Sequence, residues 1–145
     1  MADVVIPEDR ELRALLAGAR TVAVVGLSPK TDRPSHEVAS YLQERGVRVI
    51  PVNPAVDEVL GERAYPSLLA IPPSVQVDIV DVFRKAEEAP AIARDAVRIG
   101  ARALWLQDEI VSEEAALIAT EAGLDVIMGV CIQRTSERVF GKDDL

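Results

Sequence analysis

Gly26, Ser28, Lys30, Arg33 and Ser35 follow directly on the largely β-branched run Thr21-Val22-Ala23-Val24-Val25. Hydroxyls, cations and a glycine, set between a strand and a helix start, are groups suited to holding a phosphate. Backbone N–H groups at a helix N-terminus face an anion with the helix dipole behind them, and Lys or Arg adds charge-assisted hydrogen bonds. Gly26, lacking a Cβ, would let the backbone approach the phosphate, although a glycine here equally suits a plain tight turn. Lys30 and Arg33 also have an ordinary reading as solvated loop charges; of the two, Arg33 is the stronger phosphate candidate. Leu27 lies in the same loop, and Pro34 suits the first position of the following helix.

The spacing of this loop argues against two nucleotide chemistries. Gly26-Leu27-Ser28-Pro29-Lys30-Thr31 fits neither G-x-G-x-x-G nor G-x-x-x-x-G-K-[ST]. The next apolar run, Val47-Arg48-Val49-Ile50-Pro51-Val52, ends in Asn53-Pro54. An NAD site would place there an acidic residue to hold the adenosine ribose. A nucleotide is expected, and NAD is not the leading one. Asn53-Pro54 offers backbone and amide groups to a base or ribose, or serves only as a turn. His36 and Cys131 are the sole histidine and cysteine, too few for a cysteine-based metal cluster or an internal disulfide framework. No residue is assigned a catalytic or metal-binding role.

The elements that must position these groups follow from periodicity. Leu12, Leu15, Leu16 and Ala19 mark a helix over 8–20, and the first strand follows over 21–25. Val38, Tyr41 and Leu42 define a helix from Pro34-Ser35 to a stop at Gly46, before a strand over 47–52. A third strand is read over 77–83, then a helix through Ile92, Ala93, Ala96 and Val97 that ends at Gly100, then a strand over 101–106. Ser112 caps a helix with Glu113 and Glu114 in its first turn, closing at Gly123 before a strand over 124–128. Residues 57–74 form a compact connection with one helical turn near 67–70. Five strands alternating with helices imply an α/β, Rossmann-like, doubly wound and mainly parallel sheet with helices on both faces. Residues 1–145 read as one domain, with 1–20 leading into the sheet and 141–145 frayed.

In such sheets ligands sit at the carboxyl ends of the strands. Those ends carry the loop from Gly26 to Ser35, then Asn53-Pro54, then Phe83-Arg84-Lys85, then Gln107, and last Gly129 to Cys131. Val82 and Phe83 suit an apolar wall, or equally the core. Composition bounds the partners. The net charge of −8 argues against nucleic acid, which needs many cations acting together. No apolar run reaches the roughly 20 residues that span a bilayer, and Met1-Ala2-Asp3-Val4-Val5 lacks a signal peptide's basic start. No membrane association and a cytoplasmic location are expected; self-association is left open.

The segments VAVVGLSPKTDRPSHEVASYL, GVRVIPVNP, GERAYPSL, VDIVDVFRK, GARALWLQ, EAGLDVIM and CI together resemble the small CoA-binding proteins, akin to the CoA-binding domain of the succinyl-CoA synthetase α subunit. The likeness runs over about 12–140. It implies coenzyme A, or an acyl-CoA, across the strand ends. Its phosphates would lie near Gly26, Ser28, Arg33 and Ser35, its adenine near Asn53, Pro54, Val82, Phe83 and Arg84, and its pantetheine toward Trp105, Gln107 and Cys131. Two departures stand out: Asp108-Glu109 where relatives show a glycine, and Gly129-Val130 where they show Asp-Arg. Cys131 also raises disulfide exchange with the CoA thiol, against the common role of a buried cysteine. The functional expectation is a non-catalytic CoA-binding module. The alternatives are a component of an acyl-CoA enzyme and a scaffold that has lost its ligand.

Overall fold

The computed structural model describes residues 7–141. The segment Met1 to Val5 and the tail at 142–145 lie outside the described residues. Helix α1 (Asp9–Gly18) leads into β1 (Thr21–Val25), followed by α2 (Pro34–Glu44) and β2 (Arg48–Val52). A short hairpin of β3 (Glu58–Val59) and β4 (Glu62–Arg63) and a 3₁₀ turn at Leu68–Ala70 precede β5 (Ile79–Val82). A second 3₁₀ turn (Ala86–Glu88) runs into α3 (Ala89–Arg98), and β6 (Ala103–Leu106), α4 (Glu113–Glu121), β7 (Asp125–Met128) and α5 (Ile132–Phe140) complete the order.

Five strands form one parallel sheet in the order β2-β1-β5-β6-β7. The chain winds outward from β1 to β2, then crosses back to β5 on the other side of β1. The loops after β1 and β5 therefore leave in opposite directions and open a crevice at the strand ends. Alternation along each strand divides the core into two layers. Ala23, Val80, Val82, Leu104, Leu106 and Met128 pack with Ala89, Ala93, Ala96, Ala115 and Ala119 of α3 and α4. Val22, Val24, Ile79, Trp105 and Ile127 pack with Leu12 of α1, Val38 and Leu42 of α2, and Ile132 of α5.

The α/β, doubly wound reading therefore holds, with strand ends shifted by up to two residues. Ser112 caps α4 as expected, its Oγ accepting from the Ala115 N–H at 3.1 Å. At the opposite end of the sheet from the crevice, the Asp78 carboxylate accepts from the N–H groups of Arg20 and Thr21 at 2.9 and 3.0 Å. This joins the α1–β1 loop to the start of β5. The sequence reading had no counterpart for α5 or for the β3–β4 hairpin. Among the described residues, no helix is long and apolar enough to cross a membrane.

Candidate functional site

Three cavities run end to end along the carboxyl ends of the strands. A middle cavity of about 400 Å³ lies over the β1–α2 loop and is bordered by Gly26, Ser28, Lys30, Arg33, Pro34 and Ser35. A second, of about 360 Å³, adjoins it through Gly26, Asn53 and Arg84, and is floored by Val25, Val52, Leu68 and Ile92, with Pro54 and Ala55 on its wall. The third and largest, of about 650 Å³, adjoins the middle one through Pro34, Phe83 and Arg84, and extends to Gln107, Ile110 and Cys131. Arg84 borders all three, so they form one groove whose centre carries Lys30 and Arg33 and whose ends mix apolar side chains with charged ones, Glu88 and Asp95 at one end and Glu37, Lys85, Asp108 and Arg134 at the other.

The middle of the groove is shaped by its own hydrogen bonds. Buried Ser35 accepts from the Ser28 N–H at 3.0 Å, and the Ser28 hydroxyl accepts from the Lys30 N–H at 3.1 Å. These bonds fold the loop back on the first turn of α2, where Arg33 is the N-cap and Pro34 the first helical residue. The exposed side chains of Lys30 and Arg33 make no ion pair among the described residues. They stand at the rim as uncommitted cations. Arg84 differs: its Nη2 lies 3.0 Å from Glu88 Oε1.

Gly26, expected to admit a phosphate, borders the middle cavity and is also packed against by its own chain. Its φ is +86°, and a Cβ there would lie 2.8 Å from the Phe83 carbonyl oxygen and 2.9 Å from Arg84 Cδ. The space left by the missing side chain is filled by the protein itself, so that Arg84 crosses the end of β1. A Gly26→Val change would thus disturb the chain directly and is no clean test of ligand binding. Asn53 is likewise occupied: Nδ2 donates to the Leu27 carbonyl at 2.9 Å and Oδ1 accepts from the Ala55 N–H at 2.8 Å. It clamps the loop after β1 to the loop after β2.

Leu27, Val82 and Trp105, expected among the site residues, line none of these cavities and have no side-chain exposure to speak of. Alternation turns Val82 into the α3–α4 layer and Trp105 into the layer under α5. The indole of Trp105 donates to the Val130 carbonyl at 2.9 Å, fixing the turn before Cys131. Gln107, Cys131, Phe83 and Arg84 do border the large cavity. So do residues that sequence reasoning missed, among them Ile110, Gln133 and Arg134. Asp108 lies on that wall too, hydrogen-bonded to Arg134, which offsets its charge. That hydrogen bond also raises the pKa of the guanidinium, which stays charged. Glu109 is exposed and adopts φ +66° in the segment where a glycine was expected.

A parallel sheet wound in both directions from β1, with a groove over its strand ends, defines the Rossmann-like α/β class, whose ligands bind at this reversal of strand order. Within that class, a model of the CoA binding domain matches residues 20–136, and the chain belongs to that family. It is 41% identical over 127 residues to the uncharacterized protein YneT of Bacillus subtilis, covering 88% of this chain and 93% of YneT. It is 30% identical over 114 residues to acetate-CoA ligase II (ADP-forming) of Archaeoglobus fulgidus, covering 77% of this chain and 16% of the ligase. A solved hypothetical protein from Pyrococcus horikoshii OT3 superposes with a TM-score of 0.90 at 36% identity, over 97% of this chain and all of that one. The chain thus carries a CoA-binding domain related to one part of an acetate-CoA ligase.

Proposed function

We propose that this chain is a non-catalytic module that binds coenzyme A or an acyl-CoA along the groove, acting as a carrier, sensor or regulatory protein. The observation that carries the reading is the groove's sequence of environments. A pocket with an apolar floor beside Asn53-Pro54 suits adenine, a centre with Lys30, Arg33 and Arg84 suits phosphates, and the larger cavity running to Gln107 and Cys131 suits pantetheine.

Calorimetric titration of CoA, 3′-dephospho-CoA and NAD into protein freed of ligand by denaturation and refolding tests this. CoA binding more tightly than both others supports the reading; silence toward CoA overturns it. The ligase relationship favours a second reading, that the domain serves acyl-CoA chemistry within a larger enzyme. Turnover of carboxylates, ATP and CoA by this chain, alone or together with a partner that supplies the rest of such an enzyme, would replace the first reading with the second.

A further inference from the structure

We infer that the part of the large cavity bordered by Gln107 is an acyl subsite, in which the amide NH₂ of Gln107 donates a hydrogen bond to the thioester carbonyl of a short acyl-CoA. The inference rests on the CoA reading above and adds the class of ligand. Gln107 is only 4% exposed, yet it borders the cavity. Its Oε1 accepts from the Ile132 N–H at 3.0 Å. A backbone N–H can only donate, so the amide must turn its oxygen toward Ile132 and its nitrogen the other way. That nitrogen has no partner among the described residues and is not among the sealed-off polar atoms. A buried side chain thus holds two N–H donors at the edge of open space.

An unmet donor on a buried side chain costs stability unless a ligand or water supplies an acceptor. The surroundings select the acceptor. Gln107 is locked to the first residue of α5, so its donors sit beside the positive end of that helix, which favours a partially negative oxygen. Ile110 adds an apolar wall to the same cavity, which suits a short alkyl group. A thioester supplies both a carbonyl oxygen and an alkyl group at the end of pantetheine; a free thiol is a weak acceptor and supplies neither.

The experiment compares CoA, acetyl-CoA and S-ethyl-CoA, a thioether of similar shape without the carbonyl, by calorimetry on the parent protein and on Gln107→Glu. The substitution keeps an oxygen for the Ile132 N–H and removes the NH₂. The parent should bind acetyl-CoA about tenfold more tightly than S-ethyl-CoA, the effect of one buried hydrogen bond, and Gln107→Glu should abolish or reverse that ratio. Equal affinity of the parent for acetyl-CoA and S-ethyl-CoA, with CoA bound, overturns the acyl subsite and leaves the CoA reading standing. A ratio that persists in Gln107→Glu removes Gln107 from the role. Failure of the parent to bind any of the three removes the CoA reading itself. The parent's ratio needs no variant, so a poorly folded substitution cannot shield the inference.

Discussion

Arg33 stands exposed at the N-cap of α2, committed to no carboxylate among the described residues, at the rim of the groove's middle cavity. Free of structural duty, it is the cleanest probe of phosphate recognition. Arg33→Ala should weaken CoA binding about tenfold through loss of a charge-assisted hydrogen bond and leave the melting temperature unchanged; calorimetry and a thermal melt read the two effects separately. Unaltered affinity would take Arg33 out of the site. Glu109 offers the opposite case, a residue whose backbone rather than its charge is consequential. At φ +66° it occupies the left-handed region, which costs an L-residue about 1–2 kcal/mol, whereas glycine gives back about 0.5–1 kcal/mol in chain entropy. Glu109→Gly should therefore raise stability in urea by about 0.5–1 kcal/mol, and a variant less stable than its parent would contradict that account.

The central strand β5 carries a carboxyl group that its neighbours do nothing to satisfy. Asp81 is fully buried between Val24 of β1 and Trp105 of β6, and neither oxygen has a hydrogen-bond partner among the described residues. Desolvation pushes its pKa well above the ordinary carboxylate value, so the folded state keeps a proton that the unfolded chain releases. Stability from this group is complete at acid pH and declines as pH rises from the unfolded pKa toward the raised folded one, by at most about 1.4 kcal/mol per pH unit. Asp81→Asn removes the titration. Its stability relative to the parent should improve between pH 4 and pH 7 in urea unfolding, and a constant difference would refute the assignment. Elements with apolar periodicity were legible in the chain, and so was the loop between β1 and α2 that borders the groove, whose glycine, hydroxyls and cations are adjacent in sequence. Helix α5 was not, because its buried face includes Thr135 and Ser136, the latter bonded to the Tyr41 hydroxyl at 2.9 Å, which an apolar pattern passes over. With α5 unread, Gln133 and Arg134 could not be placed on the groove. The hairpin was missed because its turn residues are Leu60 and Gly61, at φ +54° and +76°, where Asn-Gly would have signalled the turn. Leu27 was expected at the site as part of the loop after β1, Val82 as a strand-end wall and Trp105 through the family resemblance, but all three are buried, and for the two strand residues alternation decides which side chains face the groove and which the core.

At the scale of the whole molecule, the groove is assembled from the ends of β1, β2, β5 and β6 and the start of α5, so no single loop contains it. A ligand spanning all three cavities ties together elements on both sides of the reversal in strand order, while a fragment touches only part of the set. The net charge of −8 opposes an anionic ligand at long range, so affinity has to come from these short-range contacts acting in series. Linking two fragments makes the second contact intramolecular, with an effective concentration in the millimolar range for a short flexible connection. CoA should therefore raise the melting temperature by about 5–10 °C at a hundredfold excess over its Kd. Adenosine 3′,5′-bisphosphate and pantetheine, together at that same concentration, should give a markedly smaller rise. A thermal-shift series with the five conditions of no ligand, CoA, each fragment alone and both fragments together decides it. If the bisphosphate alone matches CoA, the large cavity beside Gln107 and Cys131 contributes nothing to binding; if CoA exceeds both fragments together, the three cavities act as one site.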